Sequence, residues 1–448
     1  MRFAFIIPVF LLIIMSLSGC ATPFQKGVIA TRNEDFATAL KEFTPLAEQG
    51  LAEAQNNLGA LYYAGQGVPQ DDKTAFKWVS LAASQRLADA QNNLGMMYDT
   101  GRGVVQDDKS AVKWYTLAAE QGHATAQNNL GVMYDTGRGV QQDDKTAVKW
   151  YTLAAEQGHA TAQNNLGGMY AKGRGVQQDD KTAVKWYTLA AEQGYAIAQN
   201  NLGLMYDDGR GVPQDDKTAV KWYTLAAEQG YAIAQNNLGV IYANGEGVPK
   251  DDKTAVKWYT LAAEQGNAIA QNNLGARYYF GLGVPQDDQN AFKWISLAAD
   301  QRLAEAQFNL GTMYEDGRGI PQDYKTTVNW YTLAAEQGHA KAQNNLGKMY
   351  EDGEGVPQDH KTAVSWYTLA AEQGHAKAQK NIGFMFADGR GVSKDIVSAY
   401  MWLNISASLG EDIDSKSREK VEEFMTPADI SAAQILMKEC VAKNYKGC

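Results

Sequence analysis

Trp78, Trp114, Trp150, Trp186, Trp222, Trp258, Trp294, Trp330, Trp366 and Trp402 are all the tryptophans of the chain, and each step between them is 36 residues with no insertion. Such a register is the mark of one structural unit stacked many times, and it replaces the length-based expectation of about three compact domains. A Leu-Gly pair moves in step, from Leu58-Gly59 to Leu346-Gly347, and closes with Ile382-Gly383. The chain can bury a core only by setting each unit against its neighbours.

One unit, His123 to Gly158, shows what is repeated. Ala126, Leu130, Met133 and Tyr134 fall on one face of a helix (helix A). Gly137 stops that helix, and Arg138-Gly139-Val140 makes the turn. Asp143 or Asp144 supplies an N-cap, where a carboxylate also suits the helix dipole. Ala147, Trp150, Tyr151, Ala154 and Ala155 then give helix B its apolar face, and Gly158 ends it. Gly131 sits inside helix A, at a cost of about 1 kcal/mol against alanine. Its recurrence predicts close backbone approach there, with Ala154-Ala155 as the complementary small surface and the tryptophan filling the wider gap.

These residues carry a resemblance. Ala124, Ala126, Leu130-Gly131, Tyr134, Gly137, Gly139-Val140, Asp143, Lys145, Ala147, Trp150, Ala154-Ala155 and Gly158 are similar to the Sel-1-like repeat pattern, a branch of the tetratricopeptide-type solenoids. The pattern covers ten units from Leu51 to Gly410. The resemblance implies an all-α, right-handed superhelical solenoid and a protein-interaction role. Some secreted members of the family carry paired cysteines in each repeat; none occur here, so packing alone must hold the stack. Residues 20–50 read as an N-terminal linker and capping helices, with one helix within Pro23 to Arg32 and another from Phe36 to Gly50. Residues 411–448 read as a C-terminal cap: a charged helix from Ser415 to Met425, then Thr426-Pro427 opening a last helix that runs to about Ala442. Units 1 and 7 share Phe-Lys-Trp at 76–78 and 292–294, and both replace the closing glycine by arginine (Arg86, Arg302), which points to a copied six-unit block.

The first 19 residues read as a targeting segment. Arg2 precedes an apolar run from Phe3 to Met15, too short for a comfortable membrane span. Leu17-Ser18-Gly19-Cys20 resembles the bacterial lipoprotein box, which implies cleavage before Cys20 and acylation of its thiol. Ala21, rather than aspartate, follows the cysteine, and in Gram-negative lipoproteins that favours the outer membrane. The expected location is thus the cell envelope, facing the periplasm, with the cell surface or secretion as the alternative. Only Cys440 and Cys448 remain; eight residues apart, they suit a disulfide closing a small terminal loop, or else two free thiols. A net charge of −10 offers no electrostatic attraction for phosphate backbones, so nucleic acid is not an expected partner.

Candidate chemistry is weak throughout. His123, His159, His339 and His375 share one position, the exposed start of helix A; neighbours there stand about 10 Å apart, too far to share a metal. His360 lies elsewhere. Ser110-x-x-Lys113 and Ser417-x-x-Lys420 match one motif of penicillin-recognising enzymes without its companions. The Gly-x-Gly turns lack the strand and third glycine of a dinucleotide site. Paired acids such as Asp143-Asp144 recur as helix starts. No cofactor, metal or small-molecule substrate is expected.

A partner surface is more legible. The third position of helix A becomes isoleucine in three successive units, Ile197, Ile233 and Ile269, joined by Tyr195, Leu204, Tyr231, Val240 and Tyr279. Asn200, Asn236 and Asn272 stand beside them, in a position to hydrogen-bond an extended peptide. If helices A line the inner surface, these residues form a groove for a protein segment; the competing reading is that the isoleucines pack between adjacent A helices. The expected function is an envelope-anchored scaffold that binds a protein through helix A. A displayed module that captures a foreign or host protein is the alternative, and a cell-wall or β-lactam hydrolase a distant third.

Overall fold

The computed structural model describes residues 21–410 and 421–448. The expected targeting segment, Cys20 and most of the expected Ser415–Met425 helix lie outside the described residues. Within them there are 23 helices and no strand. The chain divides into two compact units, one ending at Gln229 and one running from Gly230 to Cys448. The first holds α1 (Pro23–Arg32), α2 (Phe36–Glu48) and five helix hairpins from α3 (Ala52–Ala64) to α12 (Asp216–Glu228). The second holds five hairpins from α13 (Ala232–Asn244) to α22 (Ile396–Ser408), and then α23 (Pro427–Ala442).

The local chemistry of one hairpin accounts for the rest. Helix α7 (Ala124–Thr136) starts at His123, whose ring Nδ1 accepts the Ala126 N–H at 3.1 Å. The histidine is therefore an N-cap rather than the first helical residue, and it is half-buried rather than exposed. Gly137, at φ +70°, closes the helix in the left-handed conformation. Gly139 also has positive φ, and a Cβ there would collide with the Asp108 carbonyl of the preceding repeat. Asp143 caps α8 (Asp144–Glu156), accepting the Lys145 and Thr146 N–H groups at 3.0 and 3.2 Å.

The mid-helix glycine has a different reason from the one its sequence position suggests. A Cβ on Gly131 would lie 2.7 Å from the Tyr151 ring of its own hairpin. The glycine makes room for a flat aromatic ring, not for backbone, and Tyr151 rather than Trp150 is the fully buried aromatic. The tyrosine is replaced by Val79, Ile295 and Leu403 in the first, seventh and tenth repeats, and the glycine opposite stays. Apart from Trp402, which is buried, the indoles are partly buried, and they pack on a core shared with the preceding repeat: Trp186 packs on the cluster of Ala147, Tyr151, Ala154, Ala162, Leu166 and Met169. A core of this kind belongs to two repeats at once, and a leucine buried in it contributes about 1.5–3 kcal/mol.

Two polar ladders accompany the apolar one. Gln127 is buried, donates to the Ala119 carbonyl of the preceding repeat at 3.2 Å and accepts from Gln157 at 2.7 Å. The same pair of bonds recurs at Gln163 with Ala155 and Gln193, and at Gln199 with Ala191 and Gln229. In the turn, the Arg174 guanidinium reaches back to Asp144 at 2.7 Å and Asp135 at 2.5 Å. Where Leu282 replaces the turn arginine, Arg277 on α15 (Ala268–Phe280) supplies the guanidinium instead, 2.9 Å from Asp252.

Candidate partner-binding surface on helix A

The isoleucine position of helix A is set by the capping geometry. It falls two residues after the N-cap, one before the fully buried alanine, so its side chain stands at the margin of the inter-repeat core. In the second unit Ile233 on α13 and Ile269 on α15 are 45% and 52% exposed. In the first unit Ile197 on α11 (Ala196–Asp207) is half-buried and Leu204 is exposed. The isoleucines are therefore not an equivalent set. Tyr195 and Tyr231 occupy N-cap positions without a side-chain cap bond and are half-buried, as is Val240. Tyr279 is committed to its neighbours: its ring lies under the Arg318 guanidinium at 3.6 Å, and its hydroxyl donates to Asp316 at 3.2 Å.

The asparagines require a correction. Asn200, Asn236 and Asn272 are buried, not presented beside the isoleucines. The Asn236 Oδ1 accepts from Asn273 at 3.1 Å, and the Asn272 Oδ1 accepts from Asn309 at 2.9 Å. The first unit repeats the bond between Asn165 and Asn128 and between Asn201 and Asn164. These amides tie one A helix to the next, so they shape the surface from beneath instead of meeting a peptide. A signal for this stands in the chain, a doubled Asn in nearly every unit, because two partners are needed per interface.

The titratable groups have structural explanations. Burial, and then the neighbouring His123, push the His159 imidazole below its ordinary range. Its Nδ1 caps Ala162, which only the neutral ring can do. His339 Nε2 lies 2.8 Å from Glu305 and holds that carboxyl below its usual range. Burial pushes the Tyr187 hydroxyl up to about 12. Ser110 hydrogen-bonds the capping Asp107 at 2.6 Å. Among the described residues no group of three or more His, Cys, Asp or Glu is arranged to hold a metal, and no helix is long and apolar enough to cross a membrane.

At the C-terminus the Cys440 and Cys448 sulfurs are bonded, with their Cα atoms 5.5 Å apart. The closed loop places Tyr445 against Gly374, and the Gly447 N–H donates to Glu372 at 3.0 Å.

The Sel1 repeat model matches ten consecutive segments, from 52–87 through 376–411, with no gap between them. The chain belongs to the Sel1 repeat family. Sel1 repeats form solenoids that serve in general as protein–protein interaction modules. Two solved structures are similar to this chain. One, described as a protective antigen present in uropathogenic Escherichia coli strains and displaying an SLR fold, is 36% identical over 94% of this chain and 92% of its own, with a TM-score of 0.76. The other, a Sel1 repeat protein from Oxalobacter formigenes, is 33% identical over 74% of this chain and 95% of its own, with a TM-score of 0.54. No curated protein matches the sequence.

Proposed function

We propose that this Sel1 repeat protein is an envelope adaptor, anchored through a lipidated Cys20, that captures a partner protein on the helix A surface around Ile233 and Ile269. The observation that carries the reading is the half exposure of these two isoleucines on successive A helices of one unit. Neither belongs to the buried core beneath, which is Ala234, Leu238 and Ile241 on α13 and Ala270 and Leu274 on α15, and exposed apolar side chains at adjoining positions of a repeat array are a ready contact surface. The buried asparagine bonds fix the A helices against each other, so the surface is preorganised.

The test is affinity capture with crosslinking on cells producing either the natural chain or Ile233→Glu. The variant should lose its partner while helical circular dichroism and melting stay unchanged. Loss of folding would make Ile233 a core residue, and unchanged capture would move the contact elsewhere. Cys20→Ser should release the chain from the membrane fraction; retention would refute the anchor.

A second reading is display on the cell surface. Its support is the similarity to a protective antigen of uropathogenic E. coli, since an antigen that protects is reached from outside. Digestion of intact cells by added protease would support display, and full protection would favour the periplasmic side.

A further inference from the structure

The outer face of the B helices, away from the helix A surface, carries a second regular pattern. In α8 it presents Lys145, Lys149 and Leu153, spaced four residues apart and so aligned on one side of the helix, all exposed. Every B helix of the first unit repeats the trio, with leucines Leu81, Leu117, Leu153, Leu189 and Leu225 at 37–45% exposure. The outcome is an apolar row with a double row of lysines on one side and, in four of the five repeats, exposed glutamates (Glu120, Glu156, Glu192 and Glu228) on the other.

What covers such a face is visible once, in the second unit. There α23 lies on α22, and the residues at the positions of the trio are Val397, Met401 and Ile405. Met401 and Ile405 are buried under α23, and Trp402, whose counterparts are only partly buried, is 1% exposed. On its side α23 buries Ala433 and Cys440, seven residues apart. The loop after it reaches back to Glu372 and Gly374 of the preceding repeat. Thus α23 packs on α22, and the loop that follows it reaches the preceding repeat. For a helix laid across successive B helices, the spacing of contacts follows from packing, because packed helices stand about 10 Å apart. A helix advancing about 1.5 Å per residue needs about seven residues to span that interval.

We propose that the B-helix face of the first unit docks an acidic amphipathic helix of a partner protein, with apolar residues at heptad spacing over the leucine row and carboxylates over the lysines. The chain's own α23 does not suit this face. It would bury two lysines per repeat against Ala433, Met437 and Cys440, and repeat ten admits it only because valine and methionine replace those lysines. Carboxylates along the flank of the incoming helix remove that penalty and steer its approach.

The test uses the full chain and three fluorescein-labelled helical peptides of about 21 residues, or three heptads, each with leucine at every seventh position. Their flanking positions carry glutamate, glutamine or lysine. Fluorescence anisotropy should show the glutamate peptide binding best, with affinity falling as salt rises. Leu117→Glu/Leu153→Glu/Leu189→Glu should weaken it by at least about tenfold, and so should Lys113→Gln/Lys149→Gln/Lys185→Gln at low salt. Ile233→Glu should leave it unchanged, which separates this face from the helix A surface. The lysine variants alter only exposed residues and keep the test valid if the leucine variants fail to fold. Binding that ignores the lysine substitutions, or no binding by any peptide, would overturn the proposal. So would sedimentation of the chain with phosphatidylglycerol vesicles, lost in the same variants, without peptide binding; that result would make the face a lipid-contacting one.

Discussion

At the scale of residues, each recurring position answers to one neighbour. Gly131 faces the Tyr151 ring at a distance that leaves no room for Cβ. Gly131→Ala gains helix propensity of about 1 kcal/mol but overpacks the ring at a cost of about 1–3 kcal/mol. A lower urea midpoint is expected, and a raised one would mean that the ring moves aside freely. Gln127→Leu removes one bond to the Ala119 carbonyl, which keeps the Gly122 N–H, and one from the Gln157 amide, which keeps the Leu153 carbonyl, for a loss of about 0.5–1.5 kcal/mol per bond in the same measurement. His159 supplies a pH dependence whose sign is fixed. Its folded pKa lies below the ordinary 6.5, so its contribution is complete above about pH 6.5 and is lost as the pH falls through the lowered value. His159→Asn keeps a cap, as Asn267 does in the seventh repeat, and should reduce the drop in melting temperature between pH 7.5 and 5. An unaltered drop would place the titration elsewhere. Much of this is legible in sequence as periodicity, but the pairing is not. The Gly, Tyr and Trp positions recur with the same period, and only the hairpin geometry decides that the tyrosine meets the glycine while the indole faces the preceding repeat.

At the scale of elements, caps and turns set the register. The capping aspartates, Asp71, Asp107, Asp143 and their equivalents, are held below the usual carboxylate range by hydrogen bonds from the threonine or serine and the N–H groups they accept. A depressed folded pKa stabilises above the unfolded value and is lost on acidification. Melting temperature should therefore fall as the pH drops below about 4, together in all repeats. The histidine N-caps escape a reading by pattern because histidine is not a favoured capping residue and its role depends on ring orientation. The asparagines mislead for a related reason: a polar residue next to an exposed position reads as exposed, and burial of both members of a doubled pair is evident only once helices are set side by side. The terminal helix offers another test. Removal of 427–448 uncovers Met401, Trp402 and Ile405, and amide exchange across α22 should accelerate. Unchanged protection would mean that α23 contributes nothing to the last hairpin.

At the scale of the whole molecule, the strict 36-residue register makes the family legible from the order of residues alone, since only a stack of like units keeps it. The helix A isoleucines are legible as a cluster, yet their unequal exposure is not, because it depends on what each neighbouring repeat presents. The charged and apolar rows on the B helices are hard to read because they recur too uniformly to stand out as a site. Function in such a molecule is a matter of which rows meet a partner. Replacing Ile269 by a photoreactive benzophenone amino acid, and Val105 (85% exposed, in a turn of the first unit) as control, measures this directly in living cells. A discrete protein adduct at position 269, absent at position 105 and lost when Ile233→Glu is added, is the predicted result; equal adducts at both positions, or none at either, would contradict the assignment of the helix A surface as the place of capture.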